Sequence, residues 1–93
     1  MGYGDEQIMN INERTLKYIV KTERAFKELR ISCCLAKIEK SSVANIIEEA
    51  KRYLEDAKYY FKKREYEVSL ASVAYCEGLL DALRMLGLIE FEW

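Results

Sequence analysis

Glu77, Asp81 and Arg84 follow one another at steps of four and three, so on a helix they share one stripe. Their surroundings, from Tyr66 to Leu86, are mostly apolar. Two carboxylates at that spacing can hold a hard cation through oxygen, or divide the work of an acid and a base. The same three residues also suit a structural duty, since charge set among apolar side chains demands partners. On that reading Arg84 neutralises Asp81 and a basic residue of the first helix neutralises Glu77. The sequence favours the structural duty.

Other chemistries lack their essential residues. The chain has no histidine. A di-iron bundle built on Glu-x-x-His pairs is therefore impossible, as is the Arg-x4–6-His motif of HEPN-type nucleases. Helical NTP pyrophosphohydrolases carry Glu-Glu-x-x-Glu followed by Glu-x-x-Asp. Here Glu48-Glu49 leads to Arg52, and Glu77 to Asp81 is one step too long. Adjacent Cys33 and Cys34 do not have zinc-ligand spacing, and Cys76 reads as a small core residue. No catalytic residue, metal ligand or cofactor is expected, and an enzyme is not. Three cysteines without a disulfide pattern point to a reduced, cytoplasmic setting.

Partners are constrained by charge. The net charge of −1 supplies no field toward nucleic acid or membrane. The run from Lys58 to Arg64 mixes bases with aromatics, but helical phase sends Tyr60 and Phe61 into a core arc and leaves Tyr59 alone outside. Nucleic acid is not the expected partner. Neither a signal peptide nor an apolar run of about 20 residues marks a membrane segment. The basic residues lie early: residues 11–40 hold eight Lys/Arg against four acids, residues 41–93 seven against ten. A basic first helix docking on a more acidic remainder accounts for this.

The elements that must position these residues are helical. Of 93 residues none is proline, and between Asp5 and Glu77 there is no glycine. Sheets need turn residues far more often. Residues 1–10 read as a flexible lead and 11–93 as a single domain. Asn10 can cap a first helix over about 11–38, with Glu13 completing a capping box. Ile11, Tyr18, Thr22, Ala25, Leu29, Cys33 and Ala36 form its stripe. Ser41-Ser42 can cap a second helix over 42–63, whose core arc runs through Val43, Ile46, Ile47, Ala50, Tyr53, Leu54, Ala57, Tyr60 and Phe61. Arg64 stands where a glycine would most easily end that helix. The third helix, 66–86, is apolar almost all round, so the sequence predicts neighbours on every flank. Gly87 suits its left-handed stop, with Leu88 folding back. Ile89, Phe91 and Trp93 alternate with Glu90 and Glu92, which predicts an extended tail with one apolar side.

Two segments carry a family resemblance. One runs from Glu13 to Phe26. The other runs from Ala50 through Tyr53, Asp56-Ala57, Tyr60-Phe61 and Tyr66 to Ala74-Tyr75-Cys76-Glu77-Gly78-Leu79-Leu80-Asp81-Ala82 and Leu86-Gly87-Leu88. The chain resembles the archaeal family known as domain of unknown function 357, from about Asn12 onward. The resemblance implies a three-helix bundle from an archaeal cytoplasm with no assigned activity. Relatives fused to nucleotidyltransferase-like domains imply an accessory role. Arg64 departs from the family pattern, where glycine is usual.

The expectation is an all-α, antiparallel three-helix bundle with a short extended C-terminal tail, acting as a non-enzymatic interaction or self-association module. Its surface would be the exposed side of helix three with Ile89, Phe91 and Trp93, presented to a protein partner or a second copy. The alternative is a small-ligand or cation-binding accessory domain for a nucleotidyltransferase-like partner, using Glu77, Asp81 and Arg84.

Overall fold

The computed structural model describes residues 10–32 and 38–93. Three helices pack together: α1 (Ile11–Glu28), α2 (Lys40–Lys62) and α3 (Tyr66–Met85). A strand β1 (Arg30–Ile31) follows α1, and β2 (Ile89–Glu90) follows α3. The expected helical bundle with a short extended tail is the observed fold. Thr15 lies beside Tyr66 and Thr22 beside Glu77, so α1 and α3 run parallel. Ser69 of α3 meets Ala57 of α2 and Tyr75 meets Tyr53, so α2 runs against α3 and therefore against α1.

Asn10 caps α1 as its type predicts, its side chain accepting from the Glu13 amide at 2.9 Å. The helix ends sooner than the expected residue 38. Leu29 is already extended, at φ −65° and ψ 148°. The reason lies elsewhere in the chain. Parallel α1 and α3 finish at the same end of the bundle, which brings the tail beside residues 30–32. Arg30 pairs with Glu90 and Ile31 with Ile89 in an antiparallel register. The Ser32 amide adds a bond to the Leu88 carbonyl at 2.9 Å. A helix through Arg30 would leave the tail's backbone groups without these partners. The remainder of the expected helix, residues 33–37 with Cys33, Cys34 and Ala36, lies outside the described residues, as do residues 1–9 of the expected lead.

The cap of α2 also differs from expectation. Glu39, not a serine, is the N-cap, and its carbonyl accepts from the Ser42 and Val43 amides. Ser41 instead donates its hydroxyl to the Glu39 carboxylate. At the far end Arg64 takes the left-handed conformation at φ 64°. The Arg64 amide bonds to the Phe61 carbonyl and the Glu65 amide to the Tyr60 carbonyl, the pairing of a Schellman stop. Gly87, at φ 76°, closes α3 in the same way, with Gly87 bonded to Arg84 and Leu88 to Leu83.

The core runs along the bundle axis through Ile19, Val43, Leu54, Val73, Leu80 and Ile89. The buried Ser69 hydroxyl donates to the Ala57 carbonyl at 2.6 Å and ties α3 to α2. Lys58 and Glu23 tie α2 to α1 at 2.6 Å. Their hydrogen bond lowers the Glu23 pKa and raises that of Lys58, because it favours both charged forms.

The third helix is not shielded on every flank. Ser69, Val73, Cys76, Leu80 and Leu83 are buried, but Ala71, Ala74, Tyr75, Gly78, Ala82 and Met85 are exposed. Two neighbouring helices and one returning tail cannot surround a third helix, so a three-helix bundle leaves an outer face on each.

Candidate functional site

Glu77 and Asp81 share a stripe of α3, but each turns to a different partner. Glu77 faces α1, where it accepts from the Thr22 hydroxyl at 3.1 Å and pairs with the Lys21 ammonium at 3.4 Å. Asp81 faces the tail, where it accepts from the Trp93 indole N–H at 2.8 Å and pairs with Arg84 at 3.6 Å. The ion pairs expected of this trio are present. Asp81 meets Arg84, and a base of α1 meets Glu77. Among the described residues no group of three or more His, Cys, Asp or Glu stands close enough to hold a metal ion.

The aromatic groups complete a latch over the seam between α1 and α3. The Lys21 ammonium sits 4.8 Å from the Tyr18 ring centre and 4.9 Å from that of Trp93. The Arg84 guanidinium lies over Phe91 at 5.5 Å, and Phe91 meets Trp93 edge-on at 4.7 Å. Such cation–ring contacts contribute about 0.5–1 kcal/mol each at exposed sites. Ile89 and Phe91, expected on an interaction surface, are instead buried in their own chain, and Trp93 is half-buried. The tail's alternating pattern predicts its apolar side, but nothing in that pattern names Asp81 as the acceptor for Trp93.

The outer face of α3 leaves apolar side chains open. Tyr75 is 57% exposed, Met85 85% and Leu86 65%. Gly78 and Ala82 lie between them, and Ala71 one turn before, without bulk, and a Cβ added at Gly78 would touch nothing within 4 Å. The Tyr75 ring stacks on Tyr53 of α2 at 4.5 Å and 26°, which joins the two helices into one surface. Glu49, Tyr53 and Asp56 follow one stripe of α2 beside it. Glu49 is paired with Arg52. Asp56, and Glu67 at the start of α3, have no ion-pair partner among the described residues.

A second open surface belongs to α1. Leu16 and Val20 are exposed there, and with Glu13, Lys17, Lys21, Arg24 and the edge of Trp93 they line a shallow concavity of about 580 Å³.

These features can be set beside known proteins. A family model described as "Protein of unknown function (DUF357)" matches residues 17–89. The chain belongs to the DUF357 family. The match covers most of α1, all of α2 and α3, and the first residue of β2. The DUF357 region thus contains Glu77, Asp81 and Arg84 but stops short of Phe91 and Trp93, which close the latch. No curated protein and no solved structure matches the chain. Among the described residues no helix is long and apolar enough to cross a membrane.

Cys76 completes the inner side of the site region. It is fully buried, and burial, with the nearby Glu77 carboxylate, pushes its thiol up to about 12. A thiol so held is not a nucleophile at neutral pH.

Proposed function

We propose that this DUF357 protein is a non-enzymatic helix-docking module whose binding surface is the outer face of α3. The observation that carries the reading is the run of exposed apolar side chains from Val68 to Leu86, crossed by no charged residue along its centre. Contiguous apolar surface on a small domain marks a site of association. Small residues at Ala71, Gly78 and Ala82 let a second backbone come close, within the 8–10 Å of packed helices. The polar trio does not compete for the role, since Glu77, Asp81 and Arg84 are engaged within the chain.

Size sets the strength of such a contact. A 20-residue helix is about 30 Å long. One face of it falls below the roughly 800 Å² per partner of a standard interface. A partner lying on α3 alone binds weakly and reversibly, and one that also covers Tyr53 and Ile46 binds more tightly.

A photoreactive amino acid at position 82 tests the reading in cells that naturally make the protein, with position 55 on the far side of α2 as control. Discrete protein adducts from position 82 and none from position 55 are expected. Equal labelling from both, or none from position 82, would end the proposal.

A further inference from the structure

The reading of α3 as a docking surface leaves its occupant open, and charge selects one. Helix α3 carries Glu67, Glu77 and Asp81 against Arg84 alone. Helix α1 carries Arg14, Lys17, Lys21, Arg24 and Lys27 against three glutamates. The acids Asp56 and Glu67 that border the α3 face, and the bases Lys17 and Arg24 that border Leu16 and Val20 on α1, are exposed and have no ion-pair partner among the described residues. Each face therefore pairs an apolar centre with charge that its own chain does not neutralise, and the two signs are opposite.

Resting on that reading, we infer that the occupant of the α3 face is the α1 face of a second copy, docked head to tail. Pairing α3 with α3 of another copy sets acid against acid, and pairing α1 with α1 sets base against base. Like charges across an interface are unfavourable, and opposite ones steer and orient the encounter. Pairing α1 with α3 matches both charge and apolar surface. Because the two patches differ, each bound copy still offers one free face. The contact is heterologous and grows into a ring or an open chain unless something caps it. Exposed pairs are screened by salt, so the assembly weakens as ionic strength rises.

The experiment uses the full chain and two charge-reversed variants, followed by sedimentation velocity across the micromolar range at low salt. Lys17→Glu with Arg24→Glu spoils only the α1 face. Asp56→Lys with Glu67→Lys spoils only the α3 face. All four positions are exposed, and circular dichroism checks that both variants fold. Wild type is expected to form dimers and larger species. Each variant alone is expected to associate at least about tenfold more weakly. An equal mixture is expected to regain assembly beyond the dimer, because the reversed, acidic α1 face of one variant matches the reversed, basic α3 face of the other, as the two native faces match.

Three results would overturn the inference: a wild type that stays monomeric, variants that assemble as wild type does, or a mixture that stays monomeric. The photoreactive label separates this failure from failure of the docking face itself. Adducts from position 82 to residues 16–24 of another copy support the head-to-tail contact. Adducts to another protein, or to position 82 of a second copy, refute it while leaving the α3 face a docking surface.

Discussion

Val73, Cys76, Leu80 and Leu83 point inward from α3, and Ala71, Tyr75, Gly78 and Ala82 point outward from the opposite side of the same helix. Both rows are apolar. The inner row is bulky and wholly covered by α1, α2 and the tail. The outer row is small except at Tyr75, and open. Hydrophobicity alone therefore does not tell a covered row from an open one. Bulk at successive positions, and the number of neighbours available, decide which apolar row is closed.

Thiol chemistry gives the largest contrast between the two rows. With Cys33 and Cys34 replaced by serine, native Cys76 reacts with a thiol reagent only through unfolding, whereas a cysteine placed by Ala82→Cys reacts freely. An opening free energy of about 5 kcal/mol separates the two rates by more than about a thousandfold. Stopped-flow labelling at pH 8 measures it, and equal rates would erase the distinction. The same thiol gives a pH dependence. Its pKa is raised to about 12 in the fold from a reference of 9.0. The unfolded chain therefore ionises first, and stability falls as pH rises from about 9 towards 12. Urea titrations across that range check the sign, and Cys76→Ala removes the thiol's share of the slope while that of Lys58 remains.

Truncation gives the next contrast. Leu80 is fully buried. Leu80→Ala deletes its side chain from the core and costs about 2–5 kcal/mol in chemical denaturation. The smallest effect has the opposite sign. Gly78 sits within α3 with open space where a Cβ would stand. Gly78→Ala stabilises the monomer by about 0.5–1 kcal/mol, because alanine loses less chain entropy in a helix. A loss instead would mean that the outer row is covered after all.

Legibility followed the range of the interactions. The Asn10 cap, the left-handed Gly87 and the limits of α2 and α3 came within a few residues of their observed places, since each depends on contacts no more than a turn or two away. The partners of Asp81 and Glu77 were half legible. Arg84 lies three residues from Asp81, and the basic first helix was in view, but its particular member Lys21 was not. The end of α1 is not legible locally, because β1 exists only through Leu88, Ile89 and Glu90, some 60 residues further along. Arg64 was recognised as standing in a glycine's place, and the fold holds it left-handed through the bonds of Glu65 and Arg64 to the last turn of α2.

Apolar spacing and the scarcity of breakers were enough to specify three helices, because helix formation and amphipathic patterning are local properties of the chain. Which apolar side of α3 would be left bare, where Trp93 would anchor and which strand would stop α1 emerged only on packing. Those outcomes depend on how many neighbours fit around one helix, and that is a property of volume rather than of sequence order.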